Sequence, residues 1–283
     1  MTVLDPRLLQ TFIAVIDTGS FTVAAARLHS TQSTVSQHLA RLERAIGFSL
    51  VDRAARPVGP TAVGERLATY ARRLLSLQEE AIMLLSDPAG TSTIRIGIPD
   101  DIVTAQMSRR FSAFAQANRQ HRLDVSTGLS RDLSRRYQAG ELDIVVVKEP
   151  VARAEALASF DEPVMWFESA SAAAPLVDPV PLVTFPPGGL YRDLMIERMA
   201  SDGRRWYVAF TGNSLASVLS AVEAGVGIAI LPQSAVRGAA VREQEELGDA
   251  PALAVSLYAW ERNAAVAALA KGMEEELRAT RSN

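Results

Sequence analysis

The chain contains no cysteine, which excludes a disulfide framework, a thiolate metal site and a cysteine nucleophile. Its three histidines, His29, His38 and His121, never stand at ligand spacing from one another, so no metal is expected. No apolar run is long enough to span a bilayer. The first residues read directly as a helix and carry no charged-then-apolar export signal, so a cytoplasmic protein without a membrane partner is expected. Also missing are a Gly-x-Ser-x-Gly elbow, a phosphate-binding Gly-Lys-Ser/Thr loop and a Gly-x-Gly-x-x-Gly turn between strand and helix; Gly225 and Gly227 precede a strand instead of opening a helix. With no reactive constellation left, the chain reads as a non-enzyme, with no catalytic residues and no cofactor. Lysine is almost absent too, since Lys148 and Lys271 are the only two.

What remains is an ordinary soluble composition of 283 residues, 48% of them hydrophobic and 22% charged. That length suits one small module plus a larger or bilobed one. The net charge of −3 is unpromising for a nucleic-acid binder, but it is unevenly placed. Residues 1–75 carry nine Arg against five acidic residues, whereas the remainder carries 20 basic against 27 acidic residues. A weakly basic head on an acidic body is the pattern, and pairing two heads would double the attraction for phosphates.

The basic head contains the most informative stretch, residues 20–46. Phe21, Ala24, Ala25 and Leu28 recur at helical spacing behind Ser20, a preferred N-cap. After a tight turn, Val35, Leu39, Leu42 and Ile46 repeat the spacing and must face inward. Gln32, Ser33, Ser36 and Gln37 are left on the opposite side, uncharged and able both to donate and to accept hydrogen bonds. Such groups can meet base edges in a major groove, although the same face would also suit a plain solvated helix. The segment that follows favours the first reading. Gly47 can end the helix, and residues 50–61 are turn-rich and bring Arg53 and Arg56, the composition of a wing that reaches phosphates or a minor groove. Residues 5–17 supply a further helix whose apolar face covers the pair.

Residues 8–64 resemble the winged helix-turn-helix of the LysR-type bacterial transcriptional regulators. The matching residues are Leu9, Phe12, Gly19, Ser20, Ala24, Ala25, Leu28, Thr31 to Ser33, Val35 to Gln37, Leu42, Glu43, Gly47, Leu50, Arg53, Arg56, Thr61 and Gly64. Two positions depart from the family habit: Val51 replaces a usual Phe, and Gly59-Pro60 replaces a basic or polar residue followed by Leu. Pro60 lacks an N–H and is expected to cost the wing a ladder bond. The resemblance implies a ligand-responsive regulator that binds double-stranded promoter DNA, pairs with itself as a dimer or tetramer, and has RNA polymerase as a further candidate partner. Gln32, Ser33 and Ser36 are the expected base readers. Thr31, Thr34, Gln37, Arg53 and Arg56 are the expected phosphate or groove contacts.

From Thr61 to about Leu85 a helical pattern runs without Gly or Pro after Gly64, and Asp87 to Gly90 should break it. Leu67, Ala71, Leu74, Gln78, Ala81 and Leu85 form its seam, suited to a partner helix or to the helix's own domain. The resemblance makes it the linker through which subunits pair. Strands and helices then alternate, which predicts buried parallel strands covered on both faces. The expected fold is therefore α+β and multidomain: a winged helix-turn-helix over 1–65, a linker helix over 66–90 and a two-lobed α/β effector-binding domain over 91–283. Lobe I is expected at 91–150 and 263–283 and lobe II at 163–260, with hinge crossings at 149–163 and 260–263. By resemblance, this domain is similar to periplasmic solute-binding proteins. A small-molecule-binding module without specific DNA reading is the alternative.

Ligands of open α/β sheets bind beyond the carboxyl ends of strands, near helix N-termini. Three loops qualify, represented by Pro99, Asp100, Asp101 and Ile102; by Gly128 and Ser130; and by Thr211 and Asn213. Lys148 and Gly227 are added as expected effector-site residues. Helix capping is the competing role for Asp100, Ser130 and Asn213. Members of the resembled family often have a hydroxyl residue in the first loop, where it can bind a carboxylate. Two acidic side chains here should repel an anion, so the effector is expected to be neutral or cationic, unless an anion is anchored elsewhere by Lys148.

Overall fold

The computed structural model describes residues 4–86, 91–172, 176–260 and 263–281. The chain forms two compact units, Met1–Ser92 with Gln138–Glu141, and Thr93–Tyr137 with Leu142–Asn283.

In the first unit α1 spans Pro6–Thr18, α2 Phe21–Arg27 and α3 Gln32–Ile46. Each starts on a side-chain cap. Asp5 accepts from the Arg7 amide, Ser20 from Val23 and Thr31 from Thr34, which satisfies N–H groups that a helix start leaves open. Gly47, in the left-handed region, ends α3. Phe12, Val15, Ala24, Val35, Leu39 and Leu42 are buried together with Leu50. The inward stripe of α3 is thus the one that periodicity marks out.

The wing is a two-stranded ribbon in which β1, Val51–Asp52, pairs antiparallel with β2, Gly59–Pro60. Val51 opposite Pro60 is buried, so the ribbon closes despite a residue that cannot donate, and Val51 fills the core where the family habit is Phe. A Cβ on Gly64 would stand 2.0 Å from the Leu50 carbonyl oxygen. Only glycine lets the following helix start this close to the wing.

That helix, α4, spans Ala62–Ser86; the breaker at 87–90 lies outside the described residues. The expected single seam divides. Ala68 and Ala71 are buried and Leu67 packs with them in the head's own core, while Leu74, Leu77, Ala81 and Leu85 are exposed, Leu85 to 89%. The split follows from helix length. Three turns can lie against α1, and the stripe beyond them meets no apolar partner among the described residues.

In the second unit β3 spans Ser92–Ile98, α5 Ala105–Ala117, β4 His121–Thr127, α6 Ser130–Gln138, β5 Ile144–Glu149 and β6 Ala158–Glu162. Across Pro163 the chain enters β7, Val164–Ser169, followed by β8, Val180–Thr184, α7, Leu190–Ser201, β9, Trp206–Thr211, α8, Leu215–Glu223, β10, Ala229–Pro232, and β11, Val241–Glu243. It returns through β12, Leu253–Ala259, and ends with α9, Ala264–Arg281. One sheet has the order β4-β3-β5-β12-β6. Ile96, Ile144, Val146 and Leu257 pack beneath α5 and α9 on one face, and Val145, Val147 and Tyr258 meet Leu133 and Tyr137 of α6 on the other.

Two expectations are corrected here. The sheet is mixed, because β12 runs antiparallel to both β5 and β6. And β12, expected in lobe II within 163–260, belongs to lobe I with β6. The crossings therefore fall at Glu162-Pro163 and at 248–252; of the expected crossing at 260–263, residues 261 and 262 lie outside the described residues. Lobe II has β7 between β10 and β11, and parallel β8 and β9 joined to it by a bridge from Leu182 to Ile228. A Cβ on Gly227 would stand 2.4 Å from the Pro181 carbonyl oxygen, so this glycine secures that bridge. No helix among the described residues is long and apolar enough to cross a membrane.

Candidate nucleic-acid interface and effector cleft

On α3 the buried stripe leaves Gln32, Ser33 and Gln37 exposed and Ser36 half-exposed at the N-terminal half. Thr31 is the cap: its hydroxyl lies 3.2 Å from the Thr34 amide, 2.9 Å from the Thr34 hydroxyl and 2.8 Å from that of Ser33. Thr31 and Thr34 therefore shape the start of the helix, and the amide groups of Gln32 and Gln37 are the longest reach from this face. Gln32 is steadied by the Thr22 hydroxyl, which donates to its Oε1 at 3.4 Å. His38 turns inward, with Nδ1 3.0 Å from the Thr11 hydroxyl of α1.

Glu43, one of the positions shared with the resembled family, binds the wing to this helix, although neither its residue type nor its spacing marks it for that role. Glu43 accepts from the Leu50 amide at 2.9 Å through Oε1 and from the Arg53 guanidinium at 2.9 Å through Oε2. The Arg53 guanidinium also lies 5.7 Å from the centre of the Phe21 ring. Arg56 uses Nη1 to donate to the carbonyls of Arg53 and Ala55, both at 2.9 Å. One wing arginine is thus neutralised by a carboxylate, while the other is held by uncharged oxygens. An exposed ion pair of this kind contributes only about 0–1 kcal/mol to stability, so neither truncation should unfold the head. In salt titrations of DNA binding, Arg56→Ala is expected to lower the slope of log K against log salt by about one, and Arg53→Ala by clearly less. Equal slopes for the two variants would mean that Glu43 releases Arg53 on DNA.

In the second unit the expected effector residues divide into two sets. Pro99, Asp100, Asp101, Gly128, Ser130 and Lys148 line a single cavity of about 40 Å³, whose far wall is Phe185, Gly189, Leu190, Tyr191 and Leu215. Ile102 is buried in the lobe I core, Thr211 and Asn213 are exposed away from the cavity, and Gly227 packs on Pro181. None of these four lines that cavity, although Ile102 borders a second pocket of about 140 Å³ together with Asp101, Glu162, Pro163 and Gln233.

Lys148 is the penultimate residue of β5, and its side chain is only 4% exposed. Its backbone N–H donates to the Ser130 hydroxyl at 2.9 Å, so Ser130 acts on the strand end. Its ammonium is shared among the Asp101 carboxylate, Glu162 Oε1 at 3.3 Å and the Tyr191 hydroxyl at 2.8 Å. Burial alone would lower the pKa of this lysine, but the Tyr191 phenol and the Asp101 and Glu162 carboxylates outweigh it and hold the pKa above its ordinary value. Burial likewise pushes the Tyr191 phenol up, against the opposing charge of Lys148. Both groups therefore keep their protons at neutral pH. Lys148, expected as a free anchor for an anion, is already paired with two carboxylates.

Two further links cross the cleft. Asp100 accepts from the Leu215 amide at the start of α8 at 3.3 Å, and Arg131 of α6 pairs with Asp193 of α7 at 2.8 Å. Glu162 and Tyr191 could not be singled out from sequence, because one sits in a stretch that reads as hinge and the other in a helix with no polar pattern of its own. Around Lys148 the cleft sets three carboxylates, Asp100, Asp101 and Glu162, against one ammonium, and the Arg131–Asp193 pair adds one charge of each sign.

Comparison with known proteins places both units. Residues 6–65 match the bacterial regulatory helix-turn-helix protein, lysR family, and residues 89–280 match the LysR substrate binding domain. The transcriptional regulator DgdR of Burkholderia cepacia is 28% identical over 90% of this chain and 87% of its own length. PecT of Dickeya dadantii, also a transcriptional regulator, is 31% identical over 80% of this chain and 72% of its own length. Among solved structures, full-length LysG of Corynebacterium glutamicum with bound effector Arg superposes with a TM-score of 0.54 at 21% identity, covering 96% of this chain and 97% of that one, a likeness of fold.

Proposed function

Because the chain belongs to the LysR-type transcriptional regulators, we propose that it binds promoter DNA as a homo-oligomer and that a small molecule taken up between its two lobes changes how the DNA-binding heads are presented. The observation that carries the DNA-binding part is the amide and hydroxyl face of α3, set outward by a fully buried Val35, Leu39 and Leu42. Gln32, Ser33 and Ser36 read base edges. Gln37, Arg53 and Arg56 meet phosphates or a groove edge, and Thr31 and Thr34 present the N-terminus of α3 to the backbone. The exposed stripe of Leu74, Leu77, Ala81 and Leu85 supports self-association through α4, which would give the second half-site that a symmetric operator needs. RNA polymerase is the partner on which such a regulator acts.

The effector is neutral or cationic. An anion entering the cleft would meet three carboxylates and find the one ammonium already paired.

Fluorescence anisotropy with DNA from upstream of the gene tests the reading. Binding is expected to be saturable, salt-sensitive and sequence-selective. Gln32→Ala and Ser33→Ala are each expected to cost about 1–3 kcal/mol on the specific site, with little change on random DNA. Equal losses on both would remove these residues from base reading, and a nonspecific isotherm for the unaltered chain would leave only a small-molecule-binding module.

A further inference from the structure

On the Lys148 side the cleft is closed around the chain's own side chains, while a pocket of about 140 Å³ lies on the other side of Asp101 against Glu162, Gln233 and Arg237. At about 40 Å³ the closed side has room for a few waters, well short of the 300–1,000 Å³ typical of small-molecule sites. The groups that would hold a small carboxylate there are both in use. The Lys148 ammonium, braced by the Tyr191 hydroxyl from lobe II, faces Asp101, and the Leu215 amide at the start of α8 faces Asp100. Both carboxylates come from one turn, Asp100–Ile102, that follows β3 in lobe I.

We propose that Asp101 is a tethered internal ligand: its carboxylate occupies an anion site built from Lys148 and Tyr191, and that site takes a free small carboxylate once the Asp101 side chain is removed. This role rests on the proposed uptake of a small molecule between the lobes and extends it. Lys148 is too deeply buried to be satisfied by bulk water, so its charge must be met from within the site or by a ligand. Glu162, with a side chain also 4% exposed, meets it from the lobe I sheet at 3.3 Å. Asp101 meets it from the cleft side, where it lines the same cavity as Leu190, Tyr191 and Leu215 of lobe II.

Two consequences follow. The closed arrangement needs no anionic effector to form, because Lys148 to Tyr191, Asp100 to Leu215 and Arg131 to Asp193 already tie the lobes together. An external ligand then acts by loosening these ties, and the ligand class suited to that is one able to compete for Asp100 and Asp101, an ammonium or guanidinium compound, in preference to a carboxylate.

Chemical rescue tests the proposal on the full-length chain, using tryptophan fluorescence to follow melting, since Trp166, Trp206 and Trp260 all lie in the second unit. Sodium formate and sodium acetate are compared with sodium chloride at equal ionic strength. The unaltered chain is expected to show no carboxylate-specific shift. Asp101→Ala should melt lower and regain ~2–4 °C with formate. Asp101→Asn, which refills the space with a neutral amide, should melt lower and regain nothing. No formate response in Asp101→Ala, or the same response in all three proteins, overturns the proposal. Should Asp101→Ala not fold, Asp101→Ser replaces it under the same criteria, and a formate-specific rise in the unaltered chain overturns the proposal without any variant. DNA is absent from the assay, so its outcome is independent of whether promoter binding is sequence-selective.

Discussion

Lys148→Met is expected to destabilise the second unit by about 3–5 kcal/mol, the range found when one partner of a buried ion pair is removed and the other is left uncompensated. Methionine nearly conserves the volume of the lysine stem, so a cavity contributes little. The loss comes from Asp101 and Glu162. Their side chains are 14% and 4% exposed, and without the ammonium each must ionise in a poorly hydrated site or take up a proton. Tyr191 loses its hydrogen-bond partner at 2.8 Å as well. The triple variant Lys148→Met, Asp101→Asn, Glu162→Gln removes all three charges together and is expected to recover most of the loss, because the cost lies in the orphaned carboxylates and not in the absent lysine. Denaturant titration followed by tryptophan fluorescence separates the cases. A single variant as stable as the unaltered chain would show that solvent already reaches these carboxylates.

How far the sequence could be read depended on whether a local pattern or a distant partner decided the outcome. The stripe Val35, Leu39, Leu42 is local, since its spacing alone sets which side of α3 is buried, and the caps Ser20 and Thr31 mark their helices by residue type. The alternation of strands and helices after residue 92 was legible for the same reason. Sheet membership was not. Leu253, Val255, Leu257 and Tyr258 are buried on both faces of β12, and such a run satisfies either lobe equally well until its neighbours β5 and β6 are known. The seam of α4 failed in a related way, because spacing shows which residues share a face and not how many turns that face finds a partner.

At the cleft, loop position groups Pro99, Asp100, Asp101, Gly128, Ser130 and Lys148, and these six do line one cavity, since strand ends on one edge of a sheet converge whatever their side chains. Thr211 and Asn213 obey the same rule in lobe II, but the cavity wall on that side is built by α7 and the first residue of α8 instead. The role of Lys148 could not be foreseen. Residues 101, 148, 162 and 191 are far apart in the chain, and only the packed fold shows that a conspicuous lysine is already paired.

Leu39→Ala is expected to remove about 2–5 kcal/mol from the first unit, the range for large-to-small changes at fully buried sites. Leu39 is fully buried between Val35 and Leu42 on the inner face of α3. The unit is small: at roughly 0.05–0.15 kcal/mol per residue its whole stability is on the order of 5–14 kcal/mol, so one such change consumes a large part of it. The consequence for function is specific. Gln32 is tied to α2 only by the long 3.4 Å bond from the Thr22 hydroxyl, so the placement of Gln32, Ser33 and Ser36 depends on the buried stripe beneath them. Leu39→Ala should therefore weaken binding to specific and random DNA together, whereas Gln32→Ala weakens the specific site alone. Because every tryptophan lies in the second unit, fluorescence should report an unchanged melt there while circular dichroism shows helical signal lost at lower temperature. A Leu39→Ala protein that kept full head stability, yet lost only sequence selectivity, would mean that the inner face of α3 is not what holds its reading face in place.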